Sequence, residues 1–197
     1  MRRCRWSWHG ADPDPFYSKA LVTIYFYGAD EVPYGCFSNF SPHGFDLGGQ
    51  WWPTSEHYFQ AQKFAGTRHA DLIRRAATPL HAAQLGRDRS RPLRRDWDRV
   101  KDDVMRRAVA AKFAAHADIR AVLLGTGDEE IVEDTDTDHY WGRGRSGVGR
   151  NMLGRILIRT RTRLRADQAH TGDKGHGGVR SSTRPDAGDP DTRGDAP

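Results

Sequence analysis

From Trp97 to Ala115 the sequence WDRVKDDVMRRAVAAKFAA returns Val100, Val104, Ala108, Ala111 and Ala115 at three- to four-residue spacing. That period predicts an α-helix over 97–115, the longest element of the chain, with one apolar stripe that must be covered by other elements. A second stripe, Leu153, Ile156, Leu157, Thr160 and Leu164, predicts a closing helix over about 151–165. Strand signals are few and short by comparison. LVTIYFY (21–27) alternates and is rich in β-branched and aromatic residues, so it is the best strand. Short extended pieces are expected at Phe45–Leu47 and Gln50–Trp52, joined by a tight turn at Gly48-Gly49.

Helices fill the rest. Pro53 with Thr54 or Ser55 as cap predicts a helix to about Ala65, with Ala61, Phe64 and Ala65 toward the core. Others are expected over 69–77, after Pro79, and over 117–124, followed by a short strand in EEIVED. The fold class expected is α+β, mainly α-helical: a single compact domain over 21–165 with a few short β-strands. Residues 1–20 lack any period and are expected to form a flexible leader. After Arg165 the only large aliphatic residue is Val179, and such a stretch cannot bury enough surface to offset its ordering entropy, so 166–197 is expected to be a disordered tail.

Composition sets outer limits. With 37% hydrophobic residues the chain can build one ordinary core. The 31 basic residues against 26 acidic ones leave a formal charge of +5, carried mostly by arginine, which suits phosphates and nucleic acid. A bias toward arginine at the level of the genome explains the same numbers. Cys4 and Cys36 are the two cysteines; no structural disulfide is expected, which fits a reducing cytoplasm. The basic start lacks the apolar stretch of a signal peptide, and no run is long enough to span a membrane, so a cytoplasmic location is expected.

Several motifs can be set aside. His57 has no histidine at helical spacing, and neither CxxC nor HExxH occurs, so no metal site is expected and His57 is read as a packed or hydrogen-bonded residue. Asp134, Asp136 and Asp138 lack the glycine and glutamate of a calcium loop. GRGRSG (142–147) spells GxGxxG, but polar residues precede it and the chain has only one helix left, so a dinucleotide-binding fold is rejected. Its glycines and arginines, Gly142 and Gly144 among them, leave two readings: backbone amides that hold a phosphate, or a turn with no ligand.

Glu56 is the sharper candidate. It shares a helix face with Gln60 and Lys63, and Trp51, Trp52, Tyr58 and Phe59 surround it in sequence. Aromatic shielding would raise its pKa toward the range of an acid or base at neutral pH. The helix dipole alone also explains an acid in a first turn. Trp97, and Tyr140-Trp141 before the glycine loop, are each either core or a stacking platform for a base.

FSNF (37–40), WPTSEHYFQAQKF (52–64), GRDRSRPLRRDWDRVKDDVMRRAVAAKF (86–113) and YWGRGRSGVGRNMLG (140–154) together resemble the NADAR, or YbiA-like, family, in order across about 22–165. The resemblance implies a metal- and cofactor-free N-glycosidase. Its expected substrate is a ribosylamino-pyrimidine 5′-phosphate intermediate of riboflavin biosynthesis, cleaved to release ribose 5-phosphate. Two alternatives are removal of ADP-ribose from modified guanine in nucleic acid and a binding module without turnover. By motif position Glu56, Trp97 and Asp138 (with Asp136 the other choice for the last) are the implied catalytic residues. Phe37, Asn39, Tyr58, Lys63, Tyr140, Trp141, Gly142, Gly144 and Asn151 are the implied substrate-binding set. The partner implied is a phosphorylated ribosyl-base, with ADP-ribosylated nucleic acid as the alternative and no obligate protein partner.

Overall fold

The computed structural model describes residues 22–173. The expected leader (1–20), Cys4 and the part of the expected tail beyond Asp173 lie outside them. The architecture is α+β and mainly helical. β1 (Ile24–Phe26) leads through a one-turn 3-10 helix (Tyr34–Phe37) to the hairpin β2 (Phe45–Leu47) and β3 (Gln50–Trp52). Helices α1 (Ser55–Gln62), α2 (Arg68–Arg74), α3 (Pro79–Gly86), α4 (Trp97–Ala115) and α5 (Ala117–Gly125) follow, then β4 (Ile131–Glu133) and α6 (Met152–Asp173).

β1 and β4 pair in parallel, with Phe26 opposite Glu133, so both strands end at the same edge of the molecule. Ile24 and Phe26 point inward while Tyr25 is exposed, as period-two alternation requires. The hairpin pairs Phe45 with Trp52, and Gly48 and Gly49 both take the positive φ that a tight two-residue turn requires.

The core lies between α1, α4 and α6. Val104, Met105, Ala108, Val109 and Phe113 of α4 meet Leu153, Ile156 and Leu157 of α6, and Phe37 packs edge-on to Phe26 at 5.6 Å. Some expected details differ: Ala115, expected on the apolar stripe of α4, is exposed at the helix end. Ala65 is exposed, because α1 ends at Gln62 and the chain has already turned away. α6 does not stop at Arg165 but continues to Asp173, with residues 166–170 exposed. Cys36 is a buried free thiol. No helix among the described residues is long and apolar enough to cross a membrane.

Candidate active site

A cavity of about 650 Å³ opens where β1 and β4 end. The carboxyl ends of parallel strands are a recurrent place for ligands, because the chain leaves the sheet there and its loops diverge. Tyr27 to Asp30 follow β1, and Glu133, Thr135, Thr137 and Asp138 continue from β4 into the wall. α1 supplies Glu56, Phe59 and Gln60, with Lys63 just beyond its last residue. Asn39, Met105, Arg87 and Trp141 complete it.

The N-terminus of α1 sets the aim of Glu56. Thr54 is the cap: its Oγ1 accepts from the His57 N–H at 3.3 Å. His57 is buried, bonded through Nδ1 to Thr54 Oγ1 at 2.8 Å and through Nε2 to the Ala76 carbonyl at 3.1 Å, so it is structural as expected. The Glu56 N–H donates to the Asn39 carbonyl at 3.1 Å, which ties the 38–41 turn to the helix start. Glu56 is itself 6% exposed, and Gln60 Nε2 donates to its Oε1 at 2.7 Å. Burial pushes its pKa above the usual carboxylate range, against the Gln60 hydrogen bond and the charges of Lys63 and Arg87. Gln60 is pressed into place by Gly86, where any Cβ would collide with its side chain.

Of the four aromatic residues expected to shield Glu56, only Phe59 does so. Trp51 is 53% exposed and lies across Gly44, while Trp52 and Tyr58 stack edge-on with each other at 5.0 Å in the core. The shielding comes instead from Phe59, Met105 and Trp141. Lys63 donates to the Gly86 carbonyl at 3.3 Å and sits 5.6 Å from the Phe59 ring centre. Burial lowers its pKa to about 8 despite the Glu56 charge.

The structure thus gathers Glu56, Asn39, Lys63, Asp138 and Trp141 of the expected residues around one space. Asp138 Oδ1 accepts from the Tyr140 and Trp141 N–H groups at 2.8 and 2.7 Å, whereas Asp136 is exposed and outside the wall. The other expected residues stand behind it. Trp97 is buried and backs Phe59 edge-on at 5.0 Å, which is not the open face of a stacking platform. Phe37 and Tyr58 are core residues. Tyr140 donates its hydroxyl to Asp102 at 2.6 Å and lies between Lys101 and Arg150. Asn151 caps the side of β4, accepting from the Glu133 N–H and donating to the Ile131 carbonyl.

Several amides of the glycine loop are used within the fold: Arg143 N–H donates to Glu133 O, Arg145 to Asp136 O, Gly149 to Arg143 O and Asn151 to Gly142 O. Gly142 and Gly144 are buried, and the loop's work is to hold Asp138 and Trp141 in the wall. The cations that do face the cavity are Lys63 and Arg87. Arg87 and Glu133 were missed at the level of sequence. The signal available for Glu133 was its place at the end of a buried strand, IVE, next to the acidic loop.

Three buried polar atoms in the wall have no hydrogen-bond partner: Asn39 Oδ1, Gln60 Oε1 and Glu133 Oε2. Buried orphans are rare in folded proteins, and several around one cavity point to a polar ligand that satisfies them. No group of three His, Cys, Asp or Glu side chains among the described residues is arranged to hold a metal ion.

The chain is similar to known proteins over most of its described length. The model of the NADAR domain matches residues 25–165. An N-glycosidase of Nostoc punctiforme is 55% identical over 147 residues, covering 73% of this chain and 94% of the relative. The N-glycosidase YbiA of Escherichia coli is 50% identical over 141 residues, covering 72% of this chain and 88% of the relative. A riboflavin biosynthesis protein of Vibrio vulnificus is 42% identical over 141 residues, which are 72% of this chain but 38% of that protein. The solution structure of E. coli YbiA superposes with a TM-score of 0.68 at 45% identity, covering 80% of this chain and 90% of that one.

Proposed function

The chain belongs to the NADAR domain family and is an enzyme of the N-glycosidase class, and we propose that the bond it hydrolyses is the ribosyl C–N bond of ribosylamino-pyrimidine 5′-phosphates. The observation that carries this reading is a buried carboxyl, Glu56, in a cavity that also presents Lys63 and Arg87. Breaking a ribosyl C–N bond builds positive charge on the sugar, so a carboxylate near the anomeric carbon lowers the barrier and takes a proton from the attacking water. Glu56 has that role, with Gln60 fixing its rotamer. Lys63 and Arg87 bind the 5′-phosphate, Asn39 and Asp138 position the ribose and water, and Phe59 and Trp141, packed edge-on at 5.2 Å, form one apolar wall against the base. Trp97 acts by holding Phe59. The riboflavin-related names of relatives support the choice of base.

The test is product analysis with the purified chain. Ribosylamino-pyrimidine 5′-phosphate should yield ribose 5-phosphate and free aminopyrimidine, with Glu56→Gln at least ~100-fold slower. Release of ADP-ribose from ADP-ribosylated guanine in DNA, with no cleavage of the small substrate, would overturn the substrate assignment. A Glu56→Gln rate equal to wild type would overturn the role of Glu56.

A further inference from the structure

We propose that Glu133 is the proton donor to the leaving nitrogen, working opposite Glu56; the inference rests on the N-glycosidase reading of the same cavity. Four carboxyl side chains line this one space: Asp30, which is exposed, and Glu56, Glu133 and Asp138. Like charges confined together in a poorly solvated site cannot all ionise, so protons are retained where hydrogen bonding and cations favour the anion least. Glu56 has a donor, Gln60, on Oε1, and Lys63 and Arg87 stand beside it. Asp138 has its Oδ1 clamped by two backbone N–H groups. Glu133 differs from both: its Oε2 is buried in the wall without any partner.

Its backbone, in contrast, is fixed on every side. The N–H donates to Asn151 Oδ1 at 3.1 Å, and the carbonyl accepts from Thr135 and Arg143 at 3.1 and 3.0 Å. A rigid backbone with an unsatisfied carboxyl in the wall of a cavity is the arrangement of a group that finds its partner in the substrate. Burial first, then the charges of Asp138 and Glu56, pushes its pKa up to about 7. The charged groups acting on it are therefore Asp138 from the loop after β4 and Glu56 from α1; Asp30, after β1, lines the same cavity.

The step balances. The C1′–N bond breaks and its electron pair stays on nitrogen, which takes the Glu133 proton and leaves as the amine. Water oxygen bonds to C1′ and its proton passes to Glu56. Glu133 ends ionised and Glu56 protonated, and exchange with solvent through the cavity mouth restores both.

The experiment is the pH dependence of kcat on ribosylamino-pyrimidine 5′-phosphate, for wild type and Glu133→Gln, with thermal melting to verify folding. Wild type should lose activity as the pH rises through about 7, where the donor ionises. Glu133→Gln should be at least ~100-fold slower at pH 7, and its residual rate should lack that alkaline fall. A variant with wild-type kcat, or a slow variant that keeps the alkaline fall, overturns the inference. So does a wild-type profile flat above pH 7, a result that needs no variant at all. Absence of any turnover by wild type would overturn the substrate assignment on which the inference rests, a different outcome from an active enzyme indifferent to Glu133.

Discussion

At the residue scale the site is a contest between desolvation and a small number of hydrogen bonds. Glu133 makes this measurable in stability as well as in rate. Its folded pKa of about 7 lies above the ordinary 4.5, so the folded state holds a proton that the unfolded state has released between those values. Relative to Glu133→Gln, wild type should therefore be most stable below about pH 4.5, lose stability as the pH rises to about 7, and change little above it. The full difference should be on the order of 2 kcal/mol after allowance for partial solvent access, read from chemical denaturation at several pH values. No such trend would mean that Glu133 is solvated. Lys63 gives a second prediction. Lys63→Met should raise KM about 10- to 100-fold for the phosphorylated substrate and leave KM for the dephosphorylated riboside nearly unchanged. An equal rise for both would remove the phosphate role. The face shared by Glu56, Gln60 and Lys63 was legible from helical spacing alone. Glu133 was not, because its partners come from a strand pairing, Phe26 with Glu133, that no local pattern reveals.

At the scale of elements, α4 does more than fill the core. Its Lys112 is fully buried, and its Nζ donates to Cys36 O at 2.7 Å, Ser38 O at 3.1 Å and Ser41 Oγ at 3.2 Å. These bonds pin the turn that carries Asn39 and whose Asn39 carbonyl receives the Glu56 N–H. Lys112→Met should cost about 2–4 kcal/mol in denaturant unfolding, because buried carbonyls lose their donors, and should raise KM in the fraction that folds. A loss under about 0.5 kcal/mol would show that the turn is held by other contacts. The positions of α4, α5 and the β2–β3 hairpin followed from period and glycine placement. A fully buried lysine did not: Lys112 has the spacing of the buried face, four residues after Ala108, but a lysine is ordinarily a surface residue, and its partners come from the distant turn from 36 to 41. The glycine loop was legible only in part for a related reason: a GxGxxG pattern reports conformational freedom, and the destination of the freed amides is decided by the tertiary fold.

At the scale of the whole molecule, every described residue of the cavity wall falls between Tyr27 and Trp141. A chain shortened to 22–173 should then retain kcat within about twofold of the full chain, since it keeps every one of these wall residues. A large loss would place part of the site in the removed segments. Charge bears on substrate at the same scale. The basic run RDRSRPLRR (87–95) is partly spent on internal pairs, Arg94 with Asp96 at 2.6 Å and Arg91 with Asp88 at 3.6 Å. This weakens the case for a nucleic-acid groove and leaves Lys63 and Arg87 as the cations that face the cavity. The central claim is that Glu56 acts on the sugar–base bond rather than on substrate binding. The most direct test measures, side by side, the substrate Kd and the single-turnover rate of ribose 5-phosphate release for wild type and Glu56→Gln. The account predicts a Kd within about threefold and a rate at least ~100-fold lower; an unchanged rate, or a rate loss explained wholly by weaker binding, would contradict it.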